Sequence, residues 1–149
     1  MSKVNGLVNQ AVANGAQLIK GGEAEVSGNY YPPTLLTNIT PAMEIFNQEI
    51  FGPVVAVSTF ENEEEAVTLA NQTEYGLCAY FMTQNMARIW RLSESLEFGM
   101  VGVNEGVLSN PAAPFGGVKE SGNGREGSKY GLDDYTEIKY LCMGGIERN

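Results

Sequence analysis

Pro53-Val54-Val55-Ala56-Val57-Ser58-Thr59-Phe60 is a nearly continuous run of apolar and β-branched residues. A strand covered on both faces reads this way, whereas a half-exposed strand alternates. The run leads into Glu61-Asn62-Glu63-Glu64-Glu65, whose acids suit the positive end of a helix dipole, and Ala66, Val67, Leu69 and Ala70 give that helix an apolar side. Tyr75-Gly76 breaks the helix. Leu77 to Thr83 reads as a second buried strand. Asn85 to Phe98 reads as an amphipathic helix with Ile89, Trp90, Leu92 and Leu96 towards the core and Gly99 at its C-cap. Met100 to Val103 makes a third strand. Strand, helix, strand, helix, strand is the pattern of an α/β fold, a parallel or mixed sheet with flanking helices.

Outward from this centre the reading stays local. Val4, Leu7, Val8, Ala11 and Val12 recur at helical spacing, Gly15 stops that helix, and Ala16 to Ile19 makes a short strand ended by Gly21-Gly22. Tyr30 to Ile39 is an extended segment whose Pro32-Pro33 is allowed only at its start or on an edge. Ala42 to Gln48 fits one short helix. After Asn104 the pattern changes. Residues 105–124 are glycine, serine, proline and asparagine with few apolar anchors. That is too long for a connector in a compact domain, so a functional loop is expected. A short helix from Arg125 and an alternating strand, Tyr135 to Met143, follow. A terminal strand with no helix after it is either an edge or an arm that pairs elsewhere.

Composition bounds what the chain can do. Its 149 residues suit one domain or part of a larger one, and 43% hydrophobic with 18% charged residues is a globular balance. The net charge of −9 argues against nucleic acid or an anionic membrane as partner, since either wants a basic surface. With no histidine, a histidine base and a histidine-ligated metal are excluded within this chain. Cys78 and Cys142 are too far apart for a metal-type pair, and no metal site is expected. The start has no apolar run behind a basic stretch and no segment is long enough to span a bilayer, so a cytoplasmic protein is expected.

Four features could carry chemistry. Gly122-Asn123-Gly124-Arg125-Glu126-Gly127 spells GxGxxG. It lacks the preceding strand, and too few residues remain for a βαβ unit of ~30 residues, so it reads as a flexible turn. Cys78 lies in a predicted buried strand as a small hydrophobe, and no histidine is available to activate either thiol. Glu63, Glu64 and Glu65 read as a solvated helix start. Glu49 and Phe51 precede the Gly52-Pro53 turn. If the chain is extended there, both project from one side, where a carboxylate can grip a ribose diol while the ring covers a flat heterocycle. A packed aromatic beside a solvated acid has the same pattern.

Taken together, Glu49-Ile50-Phe51-Gly52-Pro53-Val54, Tyr75-Gly76-Leu77, Gly102-Val103-Asn104, Pro114-Phe115-Gly116-Gly117-Val118-Lys119-Glu120-Ser121-Gly122, Gly124-Arg125-Glu126-Gly127 and Tyr135-Thr136-Glu137-Ile138-Lys139 resemble the C-terminal part of the NAD(P)-dependent aldehyde dehydrogenase superfamily. The resemblance runs from about Lys3 to Gly145. Gly99 to Gly106 and the ending Lys139 to Ile146 are most similar to the succinate-semialdehyde dehydrogenase branch.

The resemblance implies roles by position. Glu49 would hold the nicotinamide ribose hydroxyls, Phe51 would stand beside that ribose, and Leu77 would touch the nicotinamide. Phe115 would line the aldehyde pocket, and Ser109 would bond the distal carboxylate of succinic semialdehyde. Arg125 and Glu137 would form a structural ion pair between the glycine loop and the terminal strand. Residues 1–131 would be a partial catalytic domain and 132–149 an oligomerisation arm through which the chain self-associates. The same resemblance places the nucleophilic cysteine, the general-base glutamate, the oxyanion-hole asparagine and the Rossmann domain upstream of this chain. In the intact family enzyme the thiolate attacks the aldehyde, donors hold the oxyanion, hydride passes to NAD or NADP, and water releases the acid. No catalytic residue and no tightly bound cofactor are therefore expected in this chain, and alone it is expected to be inactive. A non-enzymatic relative that acts as a dimerisation module is the competing expectation.

Overall fold

The computed structural model describes residues 1–22 and 30–145. Ile146, the last residue of the branch-like ending, lies outside them. The chain divides into two compact units, Met1–Glu74 and Tyr75–Asn149. The division falls inside the segment expected to form one partial domain.

The first unit is α1 (Ser2–Ala13), β1 (Gln17–Lys20), β2 (Thr34–Thr37), α2 (Glu44–Asn47), β3 (Val54–Ala56) and α3 (Glu63–Asn71). Val4, Leu7, Val8 and Ala11 form the buried stripe of α1 that their spacing predicts. They share a core with Ala16, Tyr31, Leu36, Ile39, Met43 and Ile45. The sheet order is β1-β2-β3, with β1 antiparallel and β3 parallel to β2. Pro32-Pro33 stands just before β2, where its missing donors cost no ladder bond. The α3 start is capped on both sides: Glu65 N–H donates to the Asn62 side chain at 3.0 Å, and Glu61 N–H donates to the Glu65 carboxylate at 2.6 Å.

β3 departs from expectation. It is three residues long, and Val55 and Phe60 are exposed. It is the edge of its sheet, so one side has a ladder partner and its faces are only partly covered.

The second unit is β4 (Tyr75–Gly76), β5 (Cys78–Phe81), α4 (Met86–Ser95), β6 (Met100–Val103), β7 (Val118–Lys119) and a 3₁₀ turn over Tyr130–Tyr135. β5 and β6 pair in parallel, Cys78 opposite Met100 through Phe81 opposite Val103, with α4 as the crossover. β4 pairs antiparallel with β7. The fold is thus α/β with parallel and mixed sheets, but not the single sheet the alternation suggested. β3 takes β2 as its parallel partner with α2 between them, and Cys78 to Val103 makes a separate strand–helix–strand unit.

Among the described residues, the buried positions of the second unit are all glycines: Gly76, Gly102, Gly116 and Gly117. Trp90, expected in the core, is 65% exposed, while Ile89, Leu92 and Leu96 are half-buried. α4 stops at Ser95 with Leu96 as C-cap, so Gly99 is not its cap. Gly99 has a different reason to be glycine, since a Cβ there would collide with the Gly116 carbonyl and lie 2.7 Å from the Gly117 Cα.

At the C-terminus neither the short helix nor an edge strand is seen within this chain. From Arg125 there is no α-helix before the 3₁₀ turn, and residues 136–145 pair with no strand. Tyr135, Ile138 and Tyr140 stand exposed. A β-strand is stable only when its donors and acceptors meet another edge, and the described residues offer this segment none. Among the described residues no helix is long and apolar enough to cross a membrane.

Leu36, fully buried, is the test of the first core. Leu36→Ala should cost about 3 kcal/mol in urea unfolding, a usual value for a buried leucine. Trp90→Gln should move the unfolding midpoint by less than ~0.5 kcal/mol, as exposed positions do.

Candidate functional site

The loop from α2 to β3 carries Glu49 and Phe51. Gln48 is extended, and its N–H donates to the Glu44 carbonyl at 3.0 Å. Glu49 is exposed, and its carbonyl accepts the Lys3 ammonium at 2.6 Å. Phe51 has φ 50° and is 85% exposed. The extended geometry that would set both side chains on one side therefore breaks at Phe51. Gly52 packs against α1, where a Cβ would lie 2.8 Å from a Val4 methyl. Thr34 N–H donates to the Pro53 carbonyl at 2.8 Å and ties the loop's end to β2. An open acid and an open aromatic ring on a pinned backbone fit a ribose diol and a flat ring.

In the second unit Asn104 launches the glycine-rich loop. Its N–H donates to the Phe81 carbonyl at 3.0 Å, its side-chain carbonyl accepts Thr83 N–H at 2.8 Å, and its amide donates to the Thr83 carbonyl at 2.7 Å. Asn104 has φ 55°, which asparagine tolerates better than most residues. The loop then builds a pocket of about 270 Å³ that brings Ser109 and Phe115 together, with Asn110, Pro111 and Glu126 on its wall. Phe115 and Glu126 exchange backbone bonds of 2.9 and 2.7 Å. Ser128 N–H closes the wall on the Pro111 carbonyl at 2.9 Å. Gly127, φ 65°, leaves room for that carbonyl, which a Cβ would meet at 3.2 Å. Leu77 is not part of this wall. It lies between β4 and β5, partly exposed, with its carbonyl accepting Met100 N–H at 3.1 Å.

The profile of the Aldehyde dehydrogenase family matches residues 1–141. The chain belongs to that family. Aldehyde dehydrogenases are oxidoreductases. Mitochondrial succinate-semialdehyde dehydrogenase of Mus musculus is 54% identical over 147 residues, which is 98% of this chain and 28% of that protein. The crystal structure of succinate-semialdehyde dehydrogenase from Burkholderia pseudomallei superposes with a TM-score of 0.87 at 50% identity, covering 95% of this chain and 30% of that one. An NADP-dependent enzyme of E. coli superposes with a TM-score of 0.88 at 45% identity, covering 96% of this chain and 30% of that one. The chain spans less than a third of the length of these relatives.

Within this aldehyde dehydrogenase segment, Arg125 is engaged otherwise than expected. Its guanidinium donates to the carbonyls of Gly117 at 2.6 Å, Gly124 at 2.9 Å and Asn123 at 3.0 Å. Its backbone N–H donates to the Asp134 carboxylate at 3.0 Å. Glu137 is exposed, and no Arg125–Glu137 ion pair forms among the described residues. Arg125 staples the glycine loop, and within this chain residues 136–145 form no strand that would carry Glu137 alongside it. Gly122 and Gly127 take positive φ as turns, and the GxGxxG stretch leads into no α-helix.

Cys78 is half-buried rather than buried on β5. Its thiol beside Tyr80 holds that phenol above the usual tyrosine range. Cys142 is exposed in the terminal stretch.

Sequence reading missed Lys3, Glu126 and Asp134. Lys3 and Asp134 act on backbone atoms, which leave no residue-type signal at the receiving position. The GxGxxG spelling put Glu126 in a turn, and its pairing with Phe115 appears only in the folded loop.

Arg125→Ala should lower the melting midpoint of the second unit, with a loss of about 2 kcal/mol for charged hydrogen bonds to carbonyls. Glu137→Gln should leave it within ~0.5 kcal/mol, as for an exposed site without a partner.

Proposed function

We propose that this chain forms the C-terminal part of the catalytic domain of an NAD(P)-dependent aldehyde dehydrogenase that oxidises succinic semialdehyde to the acid. The observation that carries the reading is the shared pocket of Ser109 and Phe115. The Ser109 hydroxyl is a donor for the distal carboxylate of the substrate, and the Phe115 ring is an apolar wall for its carbon chain. The identity to succinate-semialdehyde dehydrogenases supports that choice of aldehyde.

In the first unit the Glu49 carboxylate would accept the nicotinamide ribose hydroxyls, with Phe51 beside that ribose, and in the second unit Leu77 would touch the nicotinamide. When bound, NAD or NADP would supply the hydride acceptor for the oxidation. This chain's residues bind and orient both reactants. Neither Cys78, half-buried in a strand, nor Cys142, in the exposed terminal stretch, sits in the Ser109–Phe115 pocket. The nucleophile therefore comes from elsewhere in the enzyme, and the chain alone is inactive. We further propose a cytoplasmic location and no nucleic-acid partner, the latter on the net charge of −9.

A second reading, a non-enzymatic dimerisation module, is favoured by one observation: Tyr135, Ile138, Tyr140, Leu141 and Met143 are exposed on an unpaired segment. Sedimentation of the isolated chain decides it, and a strict monomer at high concentration sinks self-association through this segment.

The enzymatic reading is tested in a chimera that carries this chain in place of the matched segment of the mouse enzyme. Ser109→Ala should raise KM for succinic semialdehyde about tenfold and leave KM for an uncharged aldehyde of similar length unchanged, as for one lost hydrogen bond to a charge. Glu49→Gln should lower kcat/KM for the cofactor about tenfold or more. Equal losses on charged and uncharged aldehydes would remove Ser109 from carboxylate recognition.

A further inference from the structure

We propose that Lys3 is a positioning residue: its ammonium holds the Glu49 carbonyl and so fixes the loop that presents the Glu49 carboxylate and the Phe51 ring. Its relevance to cofactor binding rests on the ribose reading of that loop.

The loop is held out of the conformation its sequence would take alone. Phe51 sits at φ 50° with its ring almost wholly in solvent. Such a conformation is uncommon in a residue other than glycine and persists only where its surroundings fix it. An exposed ring gains little burial that could fix it. Ile50, the residue before, turns inward and packs against the first unit's core. The loop's outward face is thus left to Glu49 and Phe51.

The first turn of α1 grips the loop on both sides of Phe51. On one side the Lys3 ammonium meets the Glu49 carbonyl at 2.6 Å, a short charge-assisted bond. On the other, Val4 closes on Gly52 so tightly that a Cβ there would come within 2.8 Å. α1 is a rigid base for this grip, because Val4, Leu7, Val8 and Ala11 are buried in the core. The far end of the loop is fixed by the Thr34–Pro53 bond of 2.8 Å. Of these anchors, only the Lys3 bond acts at the residue whose side chain is the proposed ligand. Exposed charged contacts contribute little to global stability, so its effect is local.

The test uses ¹⁵N relaxation of the full chain, comparing wild type with Lys3→Met and Lys3→Arg. In Lys3→Met the order parameters of Ile50, Phe51 and Gly52 should fall from about 0.85 to below ~0.6, the range of flexible backbone. Residues 34–37 and the melting midpoint should stay as they are. Lys3→Arg, which keeps a cationic donor, should restore the loop. An unchanged loop in Lys3→Met overturns the proposal. So does a change spread through the whole first unit, which would make Lys3 a general stabiliser.

The ribose reading is judged separately, by saturation transfer from the chain to the ribose protons of NADH. Transfer that is lost in Glu49→Gln and reduced several-fold in Lys3→Met, but kept in Lys3→Arg, supports both claims. Equal transfer in wild type and Glu49→Gln, or none in wild type, removes the ribose reading and leaves the relaxation result on Lys3 to stand by itself.

Discussion

At Gly99 the backbone runs so close to Gly116 and Gly117 that no side chain could stand between them. The rest of the second unit follows from that approach. Gly76 N–H reaches the Ser121 hydroxyl at 3.0 Å, and Gly99 N–H reaches the Gly76 carbonyl at 2.9 Å. Gly116 leaves space for the Arg125 side chain, which a Cβ would meet at 2.8 Å. The guanidinium can then bond the carbonyls that the turn leaves without ladder partners. Backbone packed on backbone, stapled by one arginine, gives the loop a fixed path where a side-chain core is lacking. Phe115 and Glu126 are brought opposite each other by that path, and the wall of the Ser109 pocket results.

The two units are held together internally by different physics. The first has an ordinary hydrophobic core in which α1 lies with β2 and α2. The second buries glycines and leaves Tyr80, Met82, Met86 and Trp90 exposed. Apolar burial contributes ~25 cal/mol per Å², and a backbone-packed interior forgoes most of that gain. Its order rests instead on hydrogen bonds such as the Asn104 clip and on the Lys119–Glu97 ion pair at 2.6 Å. These depend on geometry rather than area, so a single added methyl at Gly99 or Gly117 is more disruptive there than a change at Trp90.

This difference explains what could be read in the sequence. The stripe of α1 and the acid run that opens α3 are local signals answered locally, and the helices stand where they were read. The parallel pairing of β5 with β6 across α4 was legible for the same reason. Trp90 misled because an apolar helical face records that something covers it, not what covers it. The terminal segment is a different case: alternation prescribes two faces but not the partner edge, and the described residues of this chain offer none. Gly99 was placed at a helix end because sequence shows the missing side chain without showing the distant carbonyl that forbids one.

The candidate site divides along the same line. The motif residues Glu49, Phe51, Ser109 and Phe115 stand out because acid, aromatic and hydroxyl side chains carry their chemistry in their identity. What fixes them does not. Lys3 acts on a carbonyl, Asn104 on an amide and a carbonyl, and Arg125 on three carbonyls, so each works on atoms that every residue possesses. The φ of Phe51 is the sharpest instance. Strand logic placed its ring beside Glu49 by alternation, whereas the fold reverses the backbone at that residue and holds the reversal from α1. The chemistry of the loop is therefore written at Glu49 and Phe51, but its geometry is written at Lys3, Val4 and Gly52, and a reading confined to the motif sees only the first.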